Sequence, residues 1–86
     1  MYYLYILKSK RNGRYYIGST GNLGKRLEEH NRGKTKSTKK FVPYQLEYKE
    51  TFDTLSEARK REYYIKSQKS SRFVEKLIKS GSGAIG

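Results

Sequence analysis

Glu62 is the acidic residue whose position asks most of its surroundings. On a helix it shares one apolar stripe with Leu55, Ala58 and Ile65, spaced seven and four residues before it and three after. A carboxylate there is costly to bury without a cation or several hydrogen-bond donors. Either it serves a site, or it pairs with an Arg or reaches water at the edge of the stripe. Arg26 and His30 form a second pair, one helical turn apart. Together they can address one phosphate, Arg through its fork of donors and His as a proton carrier. The alternative is a solvated helix face, because Lys25, Glu28 and Glu29 are neighbours. His30 is the sole histidine, which excludes a histidine-rich metal cage and any two-histidine mechanism.

Tyr5 and Tyr16 complete the set. Strand tyrosines are commonly core residues. With an unperturbed pKa near 10, a tyrosine needs nearby positive charge to act as a base at neutral pH. The chain is rich in such charge, with 20 Lys and Arg against 8 acids and a net charge of +12 over 86 residues. A charge that large favours polyanionic partners. It points to nucleic acid and is silent about catalysis, since purely structural basic proteins share it. Lys25, Arg26 and the loop lysines Lys34, Lys36, Lys39 and Lys40 are candidates to track a phosphate backbone, although loop lysines are also ordinary solvation.

The elements that must position these residues can be read from pattern. Tyr2 to Leu7 is apolar on both alternating faces, as a central strand is. Asn12-Gly13 signals a hairpin turn, and Arg14 to Gly18 reads as the returning strand, which brings Tyr5 and Tyr16 within reach of each other. Gly21 and Asn22 introduce a helix to about Arg32, stopped by Gly33. After Pro43, the residues Tyr44, Leu46 and Tyr48 alternate with Gln45, Glu47 and Lys49, which predicts a half-buried strand. Thr54 and Glu57 make a capping box for a second helix. A third helix begins near Ser70 or Ser71, with Phe73, Val74, Leu77 and Ile78 facing inward. The order β-β-α-β-α-α predicts an α+β fold, a three-stranded antiparallel sheet flanked by about three helices. One domain is expected over residues 1–80, with a frayed tail at 81–86.

The function classes this composition excludes are clear. With no cysteine there are no disulfides, thiolate metal sites or cysteine nucleophiles. The run Tyr2 to Leu7 is too short for a secretory core and lacks a basic region before it. No stretch approaches the roughly 18 apolar residues of a membrane span. A cytoplasmic protein without a membrane partner is expected.

Taken together, YLYIL at 3–7, YYIGST at 15–20, LGKRLEEHN at 23–31 and EARKREYYIK at 57–66 resemble the GIY-YIG nuclease superfamily, particularly its small single-domain bacterial members. The agreement in order and spacing runs from residue 2 to about 79. The resemblance implies a metal-dependent phosphodiesterase site on the surface of the sheet. By position, Tyr5 and Tyr16 match the tyrosines of the first and second motifs, and Arg26 the helix arginine that stabilises the charged phosphate. His30 falls where branches of the family place tyrosine or histidine, and Glu62 matches the single acidic metal ligand. The resemblance therefore implies an endonuclease using one Mg²⁺ or Mn²⁺, structure-selective or weakly specific, with DNA favoured over RNA as its substrate and repair or recombination as its setting. Target choice would come from a protein partner, from oligomerisation, or from the shape of the DNA or RNA.

Three positions depart from the family pattern. Tyr3 stands in place of the first-motif Gly, Ser19 stands where a DNA-repair incision subunit has Lys, and no Asn follows Asn31. The competing readings are a nucleic-acid-binding module that keeps the fold without the chemistry, and an adaptor that recruits a repair complex.

Overall fold

The computed structural model describes residues 1–33 and 42–80. The predicted tail at 81–86 and the loop lysines Lys34, Lys36, Lys39 and Lys40 lie outside these residues. Six elements follow in the expected order: β1 Tyr2–Ser9, β2 Tyr15–Thr20, α1 Leu23–Asn31, β3 Tyr44–Phe52, α2 Leu55–Ser67 and α3 Ser71–Ser80. The sheet is antiparallel throughout and ordered β2-β1-β3.

β1 occupies the middle because it alone is apolar on both faces. Leu4 and Ile6 pack to one side with Ile65 of α2 and Val74 of α3, while Tyr5 and Leu7 pack to the other with Leu23 and Leu27 of α1. Leu4, Ile6 and Leu7 are wholly excluded from water. Each contributes about 1.5–3 kcal/mol by burial. The sheet is thus sandwiched, with α1 on one face and α2 and α3 on the other.

The hairpin between β1 and β2 is longer than a two-residue turn. Residues 10–14 lie between the strands, and the Ser9 hydroxyl accepts from the N–H groups of Arg11 (3.1 Å) and Asn12 (3.3 Å). Gly13 supplies the left-handed backbone, at φ 74°. Asn22 caps α1 by accepting from the Lys25 N–H at 3.1 Å. At the other end, Asn31 grips the start of β3: its amide donates to the Tyr44 carbonyl (3.2 Å) and accepts from the Tyr44 N–H (2.6 Å).

One expectation is corrected in β3. Alternation places Tyr44, Leu46 and Tyr48 on one face, but a register shift opposite Ile6 and Leu7 pairs Ile6 with Tyr48 and Leu7 with Leu46. Glu47 is the extra residue. The irregularity flips the strand, so Tyr44 and Leu46 join the α1 face and Tyr48 joins the α2 face.

α2 opens as its capping box predicts, with the Glu57 N–H donating to the Thr54 hydroxyl at 3.2 Å. Its rotation about its own axis is fixed from β3. Arg61 donates from Nε and a terminal nitrogen to the two oxygens of Glu50 at 3.0 and 3.2 Å, and Tyr48 donates to the same carboxylate. With Arg61 held toward β3 and Ala58 and Ile65 against the sheet, Glu62 is turned toward β2.

Candidate active site

Four rings gather on the α1 face. The Tyr5 and Tyr16 centroids lie 6.4 Å apart, Tyr16 and His30 4.7 Å, and His30 and Tyr44 6.0 Å. Tyr5 and Tyr16 meet because they lie on adjacent strands and point to the same face, as the hairpin reading expected. His30 meets them because α1 crosses that face. The solvated-face alternative for His30 fails, since the ring is 1% exposed.

Tyr5 Oη and His30 Nε2 are 3.1 Å apart. Burial pushes the Tyr5 phenol well above its ordinary value, with Tyr16 and then Glu62 and Glu29 acting in the same direction and Arg26 opposing. Burial also depresses His30, and the Arg26 cation depresses it further against Glu29. The pair therefore rests as a neutral phenol beside a neutral imidazole. The tautomer with its hydrogen on Nδ1 makes Tyr5 the donor.

The space for the Tyr5 ring comes from Gly18, its direct cross-strand partner. A Cβ at position 18 would lie 2.6 Å from Tyr5 Oη and 2.7 Å from Cζ. The glycine of the YIG segment thus lets the ring lie flat across β2.

Arg26 sits one turn before His30, its side chain 45% exposed and its Nε 3.7 Å from Glu29. Its charge reaches both Tyr5 and His30. Lys25 is exposed beside it and lines a concavity with Thr20, Asn22, Arg26 and Glu29.

Glu62 approaches from the opposite face. Ser19 pairs with Leu4 and so points to the α2 side, where its hydroxyl donates to Glu62 Oε1 at 2.6 Å. Lys66 donates to Oε2 at 2.6 Å, and the Glu62 side chain is 21% exposed. It stands at the edge of the apolar stripe, satisfied by a hydroxyl and a Lys rather than by an Arg. β2 is one of the two outer strands; Ser19 on it holds Glu62 on the α2 side, Tyr16 on it meets His30 on the α1 side, and Tyr5 feels the charges of both Arg26 and Glu62.

Ser19, Lys66, Glu29 and Tyr44 were not singled out as members of this constellation from sequence. Ser19 had a signal in its place directly after YIG on the Leu4 side of the strand. Lys66 had one in its i+4 relation to Glu62. Tyr44 had none, since only the irregularity in β3 decides its face. Among the described residues, no group of three or more His, Cys, Asp or Glu gathers in one place, and no helix is long and apolar enough to cross a membrane.

The GIY-YIG catalytic-domain family model matches residues 1–77. The chain belongs to the GIY-YIG family. This is a nuclease family. The chain is 46% identical over 81 residues to a UPF0213 protein of Staphylococcus saprophyticus, covering 93% of this chain and 96% of that protein. It is 40% identical over 84 residues to a UPF0213 protein of Bacillus licheniformis, covering 93% and 86%. The solution NMR structure of a UPF0213 protein from Bacillus halodurans superimposes with a TM-score of 0.58 at 34% identity, over 92% of this chain and 84% of that one. These GIY-YIG relatives are thus small proteins of nearly the same extent.

Two outcomes follow from this geometry. Gly18→Ala forces the Tyr5 ring from its seat, and overpacking of this kind costs about 1–3 kcal/mol. A lowered urea midpoint together with shifted His30 ring resonances is expected; unchanged His30 resonances would contradict the close approach. The depressed His30 pKa sets the sign of a pH dependence. The unfolded state binds the proton first, so this stability is complete above about pH 6.5 and falls as pH drops through the folded value. An NMR titration should place the His30 midpoint below 6.5, and His30→Gln should flatten the upper part of the acid limb of stability.

Proposed function

We propose that the protein is a DNA endonuclease that hydrolyses a phosphodiester bond at the β2 edge. The observation that supports this best is the arrangement of one carboxylate, Glu62, and one arginine, Arg26, on opposite faces of the sheet. Ser19 of β2 holds Glu62, and Arg26 lies one turn from His30, which meets Tyr5 and Tyr16. A pure binding surface for polyanions has no use for a carboxylate turned toward the phosphate.

GIY-YIG nucleases generally depend on a divalent metal ion. The donor chemistry at Glu62 suits one: its carboxylate is partly exposed, and the Lys66 ammonium on its second oxygen is on a half-exposed side chain that a metal ion would displace. Small hard cations are commonly held by one or two carboxylates, with water and phosphate oxygens completing the shell. Mg²⁺ or Mn²⁺ held by Glu62 would supply Lewis-acid polarisation of the phosphoryl oxygen. Ser19 holds the Glu62 carboxylate toward β2 from its other oxygen.

The remaining steps belong to the chain's own residues. Arg26, half-exposed, offsets the charge that develops on the phosphate as water attacks in line. Tyr5 and Tyr16 line the approach of that water. The buried Tyr5 phenol keeps its proton at neutral pH, so it can receive a proton from water only as it hands its own to His30 Nε2, 3.1 Å away. Tyr16, half-buried against His30, orients the water. Lys25 and the lysines at 34, 36, 39 and 40 would bind flanking phosphates. The proposed setting is the cytoplasm, and the proposed substrate is branched or discontinuous DNA of the kind that arises in repair and recombination.

The test is cleavage of labelled single-stranded, duplex, flap, splayed-arm and four-way DNA, with RNA alongside, in Mg²⁺ or Mn²⁺. Glu62→Gln should abolish cleavage while leaving folding and affinity in EDTA nearly intact. Arg26→Ala should lower turnover more than binding, by roughly 10²-fold or more if it stabilises the transition state. Undiminished cleavage by Glu62→Gln would remove its assigned role. Binding without cleavage across the panel would leave a binding module.

A further inference from the structure

A second concavity, of about 500 Å³, lies on the α2 side of the sheet between β2 and the α2–α3 corner. Ile17, Ile65 and Val74 form its apolar floor, and Tyr15 stands on its strand side. Arg14 and Lys66 place positive charge on its rim, and Ser71 sits exposed at the start of α3. Lys66 belongs to both places: it lines this groove and also holds Glu62 Oε2 at 2.6 Å. Moving along β2 from Ser19, beside Glu62, back to Tyr15 leads directly into the groove.

These features select an occupant. A bare phosphate needs cations and donors, not an apolar floor, and Glu75 on the wall would repel it. A base has apolar faces, and its amino groups can donate to a carboxylate such as Glu75, while Arg14 and Lys66 meet the phosphates on either side of it. A base paired within a duplex cannot enter, since its faces are stacked and its edge is occupied. We propose that this groove takes one unpaired nucleotide of the strand that is cut, adjoining the phosphate at Glu62. The preferred substrate is then DNA with a single-stranded segment at the cut, and Arg14, Tyr15 and Lys66 are the residues that select it.

This inference rests on the cleavage reading only for the place of the phosphate, so it is tested by binding in EDTA, where failure of the chemistry has no effect on the result. A labelled oligonucleotide is titrated by fluorescence anisotropy as a single strand and as a blunt duplex of the same length. The wild type should bind the single strand more tightly. Ser71→Trp, which puts an indole into the groove from an exposed helical position, should weaken single-strand binding roughly tenfold and leave duplex binding unchanged. Arg14→Ala, away from the core, should narrow the preference in the same direction, and circular dichroism reports whether each variant is folded. Equal binding of both forms by the wild type would overturn the proposal. So would equal losses for both forms, or an undiminished single-strand preference in both variants.

Discussion

The arrangement depends on the two-sided burial of β1. A strand that is apolar on both faces must sit in the centre of the sheet and be covered on both sides, which commits α1 to one face and α2 with α3 to the other. Functional side chains on those helices are then separated by the thickness of the sheet. They approach one another only where the sheet ends. The sheet ends at both β2 and β3, and it is β2 that carries Ser19 to Glu62 and Tyr16 to His30, so this short outer strand becomes the seam of the site.

Each supporting contact serves this seam. Glu50 grips Arg61 and so sets the rotation of α2, turning Glu62 to β2. Ser19 receives it there. Gly18, with no side chain, lets Tyr5 lie across the strand close to His30. Thus two adjacent residues of β2 face opposite ways and serve opposite halves of the site, a consequence of the alternation of strand side chains. The same burial that positions Tyr5 and His30 keeps both neutral, which suits a pair that passes a proton rather than stores a charge.

Much of this was legible in the sequence because the relevant signals are local. The double-faced pattern of β1, the Asn22 and Thr54 caps and the inward stripe of α3 each follow from a few neighbouring residues, and the structure bears them out. The pairing of Tyr5 with Tyr16 follows from a hairpin. What could not be read depends on pairing between distant segments. The irregularity in β3 moves Tyr48 to the other face, and nothing in the alternation of residues 44–49 announces it. The burial of His30 depends on how α1 lies across the sheet, so its charged neighbours on the helix misled. Glu62 was recognised as anomalous from its stripe, but its partners, Ser19 and Lys66, required the fold.

The convergence of both faces on Glu62 is the central claim, and paramagnetic broadening by Mn²⁺ tests it most directly. With ¹⁵N-labelled protein and a non-cleavable oligonucleotide, broadening should appear first at residues 17–20 and 62–66 and extend through the β2 edge to Tyr5 and Arg26. It should be lost in Glu62→Gln. Broadening confined to the α2 face, or centred on other acids such as Glu47 or Glu75 and retained in the mutant, would contradict a site shared across the edge of β2.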